Sequence, residues 1–209
     1  MRKVCELGRS MVEMLGVLAI IGVLSVGGIS GYSKAMFKHK MNKQMEQLNT
    51  IISSITRFKH ELKRSSPDGS YIEVIPILKK MGEIPEDMYI ENNDRYIQDV
   101  FKTRYQAYYQ LAGGDFVGMY ATTHTTAMNN FIDMCKNAHL IAKDWRQELS
   151  LIQILDTNLK SIYQLYGDKR CDTSKKCLKN LKITDIDDLC RMCEEEDWCG
   201  FYFIWHVKD

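Results

Sequence analysis

The sequence is short of proline, of a dominant charge, and of any familiar catalytic pattern. Three prolines in 209 residues, with no low-complexity stretch, argue against a long disordered linker. Basic and acidic side chains nearly cancel, 28 against 27. The basic excess of a nucleic-acid binder is therefore missing, and no nucleic-acid partner is expected. No HExxH, GxSxG, Walker or GxGxxG pattern occurs, and His39, His60, His124, His139 and His206 are scattered. The chain is expected to be neither an enzyme nor a cofactor protein. Its length suits one medium domain, or one domain plus an appendage. Cysteine is plentiful but odd in number: seven, of which six follow residue 134.

What is present begins with apolarity. From Met14 to Ile29 (MLGVLAIIGVLSVGGI) no side chain is charged, and from Met11 to Ser33 Glu13 alone is. Roughly 20 helical residues cross a bilayer core of about 30 Å, so this segment is long enough to span. A secretory signal would show a shorter apolar run followed by a small-residue cleavage site. Here the run is long, and a glycine, Gly8, precedes it. A plain anchor leaves Glu13 unexplained, because a carboxylate in hydrocarbon costs about 2.5–3.5 kcal/mol and calls for a partner.

The stretch Gly8 to Gly22 (GRSMVEMLGVLAIIG) resembles the N-terminus of type IV prepilins and pseudopilins. The resemblance covers roughly residues 1–40. It implies a leader, residues 1–8, that prepilin peptidase removes on the cytoplasmic side by cutting between Gly8 and Arg9. Glu13 is then the fifth residue of the mature chain, and the family pairs that glutamate with the N-terminal amine of a neighbouring subunit. N-methylation would fall on Arg9, where the family usually has phenylalanine or methionine. Many members carry a proline further along the helix; Gly22, Gly27, Gly28 and Gly31 occupy that zone here, and they imply a helix able to stretch or unwind on packing. The implied product is a structural subunit of a type IV pilus-like or type II secretion pseudopilus filament. Its partners are copies of itself, the peptidase, an assembly platform with its ATPase, and membrane lipid. It would sit in the cytoplasmic membrane with the head exported, and at the cell surface once assembled. The competing reading is a single-pass, disulfide-stabilised binding domain that never polymerises; it needs neither Gly8 nor Glu13.

Beyond Gly31 the pattern becomes amphipathic. Met41, Met45, Leu48, Ile52, Ile55, Phe58 and Leu62 mark one helical face, with Lys38, Lys40, Lys43, Glu46, Lys59 and Lys63 largely off it. One helix from about Ser10 to Lys63 is expected, its end set by Ser65-Ser66-Pro67-Asp68-Gly69. The division is thus 1–8 leader, 9–33 membrane and assembly helix, 34–64 amphipathic helix, and 70–209 exported head. Ile72 to Met81 reads as a short helix. Arg104 to Leu111 and Phe116 to Thr122 read as a hairpin around Ala112-Gly113-Gly114-Asp115. Asn129 to Ile141 reads as helix, and so does Arg146 to Tyr166, where Leu149, Ile152, Leu155, Leu159, Ile162 and Leu165 recur at helical spacing. Asp185 to Cys193 is a further short helix, and Gly200 to Val207 is strongly β. The expected class is α+β: a pilin-like long helix on a mixed head with a small antiparallel sheet and disulfides.

Cys190-x2-Cys193 with Cys171, Cys177 and Cys199 invites a zinc reading, but the spacing is not the usual pair of C-x2-C pairs. An exported head meets an oxidising compartment, which favours disulfides among Cys135, Cys171, Cys177, Cys190, Cys193 and Cys199, in any of 15 pairings. Cys190 and Cys193, sharing a helical turn, would pair outward. Glu194-Glu195-Glu196-Asp197 lacks the alternating ligands of a calcium loop. The odd cysteine, Cys5, lies in the leader. Losing Arg2, Lys3 and Glu6 with it takes 28 basic and 27 acidic side chains to 26 of each, and leaves an even six cysteines.

Overall fold

A computed structural model of the chain describes residues 7–64, 71–91, 94–110, 115–122, 128–156, 158–193 and 199–207. The turn expected at 65–69, most of the expected leader, the 111–114 part of the hairpin turn and the acidic run at 194–197 lie outside them. Contacts divide the chain between Lys40 and Met41 into two units. Helix α1 (Leu7–Arg64) begins in the first and ends in the second, and it is continuous through Gly22, Gly27, Gly28 and Gly31 in the isolated chain.

From Met41 onward the amphipathic face of α1 is buried as its periodicity predicts. Leu48, Ile51, Ile52, Ile55 and Leu62 join the main core, with Met45 and Phe58 packed at its edge. The polar face departs from expectation at Lys59. Only 4 % of this residue is exposed. Its methylene stem lies inside and its ammonium meets Glu148 at 3.0 Å, which satisfies the charge that burial would otherwise strand.

The remaining elements are β1 (Ile72–Glu73), α2 (Ile75–Lys80), β2 (Tyr89–Glu91), β3 (Tyr96–Gln98), β4 (Arg104–Gln110), β5 (Phe116–Thr122), α3 (Met128–Asp144), β6 (Leu151–Leu155), β7 (Ser161–Tyr166), α4 (Ile183–Arg191) and β8 (Gly200–His206). The strands form one antiparallel sheet in the order β2-β3-β4-β5-β8-β6-β7, with β1 added beside β4. The last strand therefore fills the centre. Its sequence GFYFIWH is buried on both faces except at His206, as a central strand requires.

Pleating divides these strands into two faces. Tyr105, Ala107 and Tyr109 of β4, Val117, Met119 and Ala121 of β5, Phe201, Phe203 and Trp205 of β8, and Ile152 and Ile154 of β6 join α1, α2, α3 and α4 in the main core. Tyr108, Tyr202, Ile204, Leu151 and Leu155 form a second, smaller cluster on the outer face, with Phe116, Tyr120 and Tyr166 against it.

Two elements correct the sequence reading. Arg146 to Tyr166 is not a helix but the β6–β7 hairpin. Asp156 decides this: its Oδ1 accepts from the backbone N–H of Asn158 and of Lys160, both at 2.8 Å, and this side-chain turn outcompetes the helical spacing of the leucines. Ile72 to Met81 splits into a strand and a one-and-a-half-turn helix that starts after Val74, with Pro76 in its first turn. Strands β2 and β3 had no clear alternating signal.

α1 is tied to the β3–β4 turn by a buried carboxylate. Asp99 accepts from Gln44 Nε2 at 2.8 Å, Tyr105 Oη at 2.7 Å, and the backbone N–H groups of Phe101 and Thr103. Four donors on one carboxylate meet the cost of burying it.

An apolar helix as candidate assembly site

The first unit exposes what soluble chains hide. Between Met11 and Leu24 the large apolar side chains are 53 % to 74 % exposed. No side chain described from Met11 to Lys40 is buried. Covering such side chains is worth about 1.5–3 kcal/mol each, so an environment outside this unit must supply the cover. α1 is the one helix among the described residues long and apolar enough to cross a membrane. It is compatible with a single-pass membrane protein.

Glu13 sits within this surface. Met14, Val17 and Leu18 flank it in a shallow apolar groove along the helix, and Ala19, Ile20, Val23 and Leu24 line a second groove one turn on. Gly8, Arg9 and Glu13 fall in the first turns of α1, Arg9 and Glu13 four positions apart. A methyl group added at Gly16, Gly22, Gly27, Gly28 or Gly31 would meet, beyond the adjoining backbone of α1 itself, no described atom within 4 Å. Among the described residues, no packing contact demands glycine at these positions.

All six head cysteines are joined in disulfides: Cys135–Cys190, Cys171–Cys177 and Cys193–Cys199. Cys190 and Cys193 pair outward rather than with each other, as their places on and just after α4 dictate. The first bridge ties α3 to α4; the others close small loops. His139 lies beside Cys135 and Cys190, and the three would form a plausible metal set if the sulfurs were free. They are not: each is spent on the other, and His139 Nδ1 is held 2.8 Å from the Cys135 carbonyl oxygen. A zinc ion does not fit this arrangement.

No protein family, curated protein or solved structure matches the chain. The functional reading therefore rests on the residues themselves. Residue patterns alone could not reveal Lys59 inside the core, the Asp99 hub, or the outer-face tyrosines, because each arises from pairing distant segments.

Proposed function

We propose that this protein is the structural subunit of a type IV pilus-like or type II secretion pseudopilus filament. It is cut between Gly8 and Arg9 and polymerises through the first part of α1, with the disulfide-stapled head carried outside the cytoplasmic membrane. One observation carries the reading: a single acidic residue, Glu13, placed five residues beyond Gly8 in the exposed apolar first part of α1. In the lipid phase the apolar face is covered by acyl chains, and in the filament by neighbouring helices. The amine freed at Arg9 pairs with a neighbour's Glu13, which offsets desolvation and fixes the register of the incoming subunit. The head's three disulfides suit an oxidising compartment.

Intact-mass measurement on protein extracted from the membrane separates this reading from a bare anchor. Loss of residues 1–8 supports the filament subunit. Retention of the full sequence in cells that contain a prepilin peptidase refutes it.

A further inference from the structure

Charge in the head is unevenly placed. Between Lys160 and Lys182 the sequence has seven basic side chains and two acidic ones. Both acids are taken: Asp168 pairs with Arg146 at 3.2 Å, and Asp172 with Lys175 at 2.7 Å. Further along, Cys177, Leu178 and Leu181 are buried, whereas Lys176, Lys179, Asn180 and Lys182 are exposed. Three ammoniums thus stand three residues apart on the outward side of one segment. None of the three has a carboxylate partner among the described residues.

This segment borders the free edge of the sheet. β7 is the last strand, and its end is held where the Tyr166 N–H donates to the Lys176 carbonyl at 2.9 Å. The Lys175 ammonium lies 5.0 Å from the Tyr166 ring centroid, and that of Lys176 lies 4.4 Å from the Tyr163 centroid. Lysines beside an edge strand discourage pairing with another sheet. That duty accounts for Lys175 and Lys176. It does not account for Lys179, on the 3-10 turn Leu178–Asn180, or for Lys182 at the start of α4. Between β7 and α4 a groove of about 280 Å³ is lined by Tyr163, Lys175, Lys176, Asn180, Leu181 and Asp185. Lys179 and Lys182 flank Asn180 and Leu181 in the chain, so both ends of that stretch carry positive charge.

Unpaired ammoniums call for an anionic partner, and the surroundings narrow its kind. Each step of three residues spans roughly 6 Å of 3-10 turn or 10 Å of extended backbone. Duplex DNA carries a charge every ~1.7 Å, far denser than this row, and would also meet Asp185, Asp187 and Asp188 of α4. A single strand needs open rings to stack its bases. Here Tyr163 and Tyr166 have lysine on one side and packed apolar side chains on another. A bilayer is flat and cannot enter a groove. A sparse, hydroxyl-rich polyanion fits every group present. Its carboxylates meet the ammoniums, and its hydroxyls meet the exposed Asn180 amide, which both donates and accepts. Asp185 accepts from the Thr184 hydroxyl at 3.1 Å and keeps lone pairs for a sugar hydroxyl. We propose that this groove and its lysines bind an acidic polysaccharide, a chain of uronic-acid rings.

The test uses the full-length protein in nonionic detergent micelles and a fluorescently labelled oligomer of galacturonic acid, with Kd read by anisotropy. The oligomer should bind at about 50 mM salt and severalfold more weakly at about 200 mM. Lys179→Gln combined with Lys182→Gln should weaken it about tenfold. Lys80→Gln combined with Lys102→Gln removes the same charge from exposed positions in α2 and the β3–β4 turn, and should leave Kd unchanged. The proposal fails if the oligomer does not bind, if the two double variants bind alike, or if neutral dextran competes as well as the oligomer. Tighter binding of duplex DNA would overturn it, as would capture by phosphatidylglycerol vesicles while the oligomer stays free. None of these outcomes depends on whether the chain forms filaments.

Discussion

His139 lies inside the core, where its Nδ1 donates to the Cys135 carbonyl at 2.8 Å and Phe201 approaches the ring edge-on. The carbonyl can only accept, so Nδ1 carries a proton, and burial holds the ring in its neutral form. Burial lowers its pKa from an ordinary 6.5 to about 4. Above pH 6.5 neither folded nor unfolded chain protonates this group, and it has no effect. Between 6.5 and 4 the unfolded chain takes up the proton and the folded chain does not, so stability falls as the pH is lowered. The full loss is on the order of 3 kcal/mol. Urea unfolding of wild type should therefore show a declining midpoint across this window, and His139→Leu should flatten it. Gly118 acts by absence. Gly118→Ala pushes against the Tyr202 ring and should cost about 1–3 kcal/mol, read as a lowered thermal midpoint. The histidine's position was legible only as a helical residue. Its burial in the core follows from α3 docking on β8, which no local pattern encodes.

At the scale of elements, the sequence was most readable where one physical signal acted alone. The amphipathic half of α1, the β4–β5 hairpin, α3 and β8 follow from periodicity and propensity. The β6–β7 hairpin was hidden because its leucines recur at helical intervals while Asp156 imposes a turn between them. There the short-range hydrogen bonds of one side chain outweigh a pattern that runs from Leu149 to Leu165. β2 and β3 are three residues each, too short to establish alternation, and they exist by pairing outward from β4. The disulfides divide by the loop each closes. Cys135–Cys190 links residues 55 apart in sequence, whereas Cys171–Cys177 links residues 6 apart. In the chain-entropy account the first stabilises by about 4 kcal/mol and the second by about 2. Replacing both cysteines of the α3–α4 bridge by alanine should lower the denaturation midpoint about twice as far as the same change in the small loop. Equal effects would show that loop closure is not what the long bridge contributes.

The whole molecule divides its apolar surface between two fates. From Met41 onward the large side chains gather in a core built by one sheet and four helices. Before Lys40 they face outward, and nothing within the described residues of that unit covers them. Composition alone makes this division legible: a charge-free run, then a mixed sequence with polar residues at regular intervals. The part proposed for Glu13 was readable from its position, five residues beyond Gly8 at the edge of that run. In hydrocarbon a carboxylate costs about 2.5–3.5 kcal/mol, so removing it does not hinder insertion. Removing it should hinder the step in which it meets a neighbour's amine. Glu13→Ala, expressed in the native host in place of wild type, should reach the membrane at normal levels, lose residues 1–8 normally, and yield almost no filaments by electron microscopy. Wild-type numbers of filaments from Glu13→Ala would contradict the account.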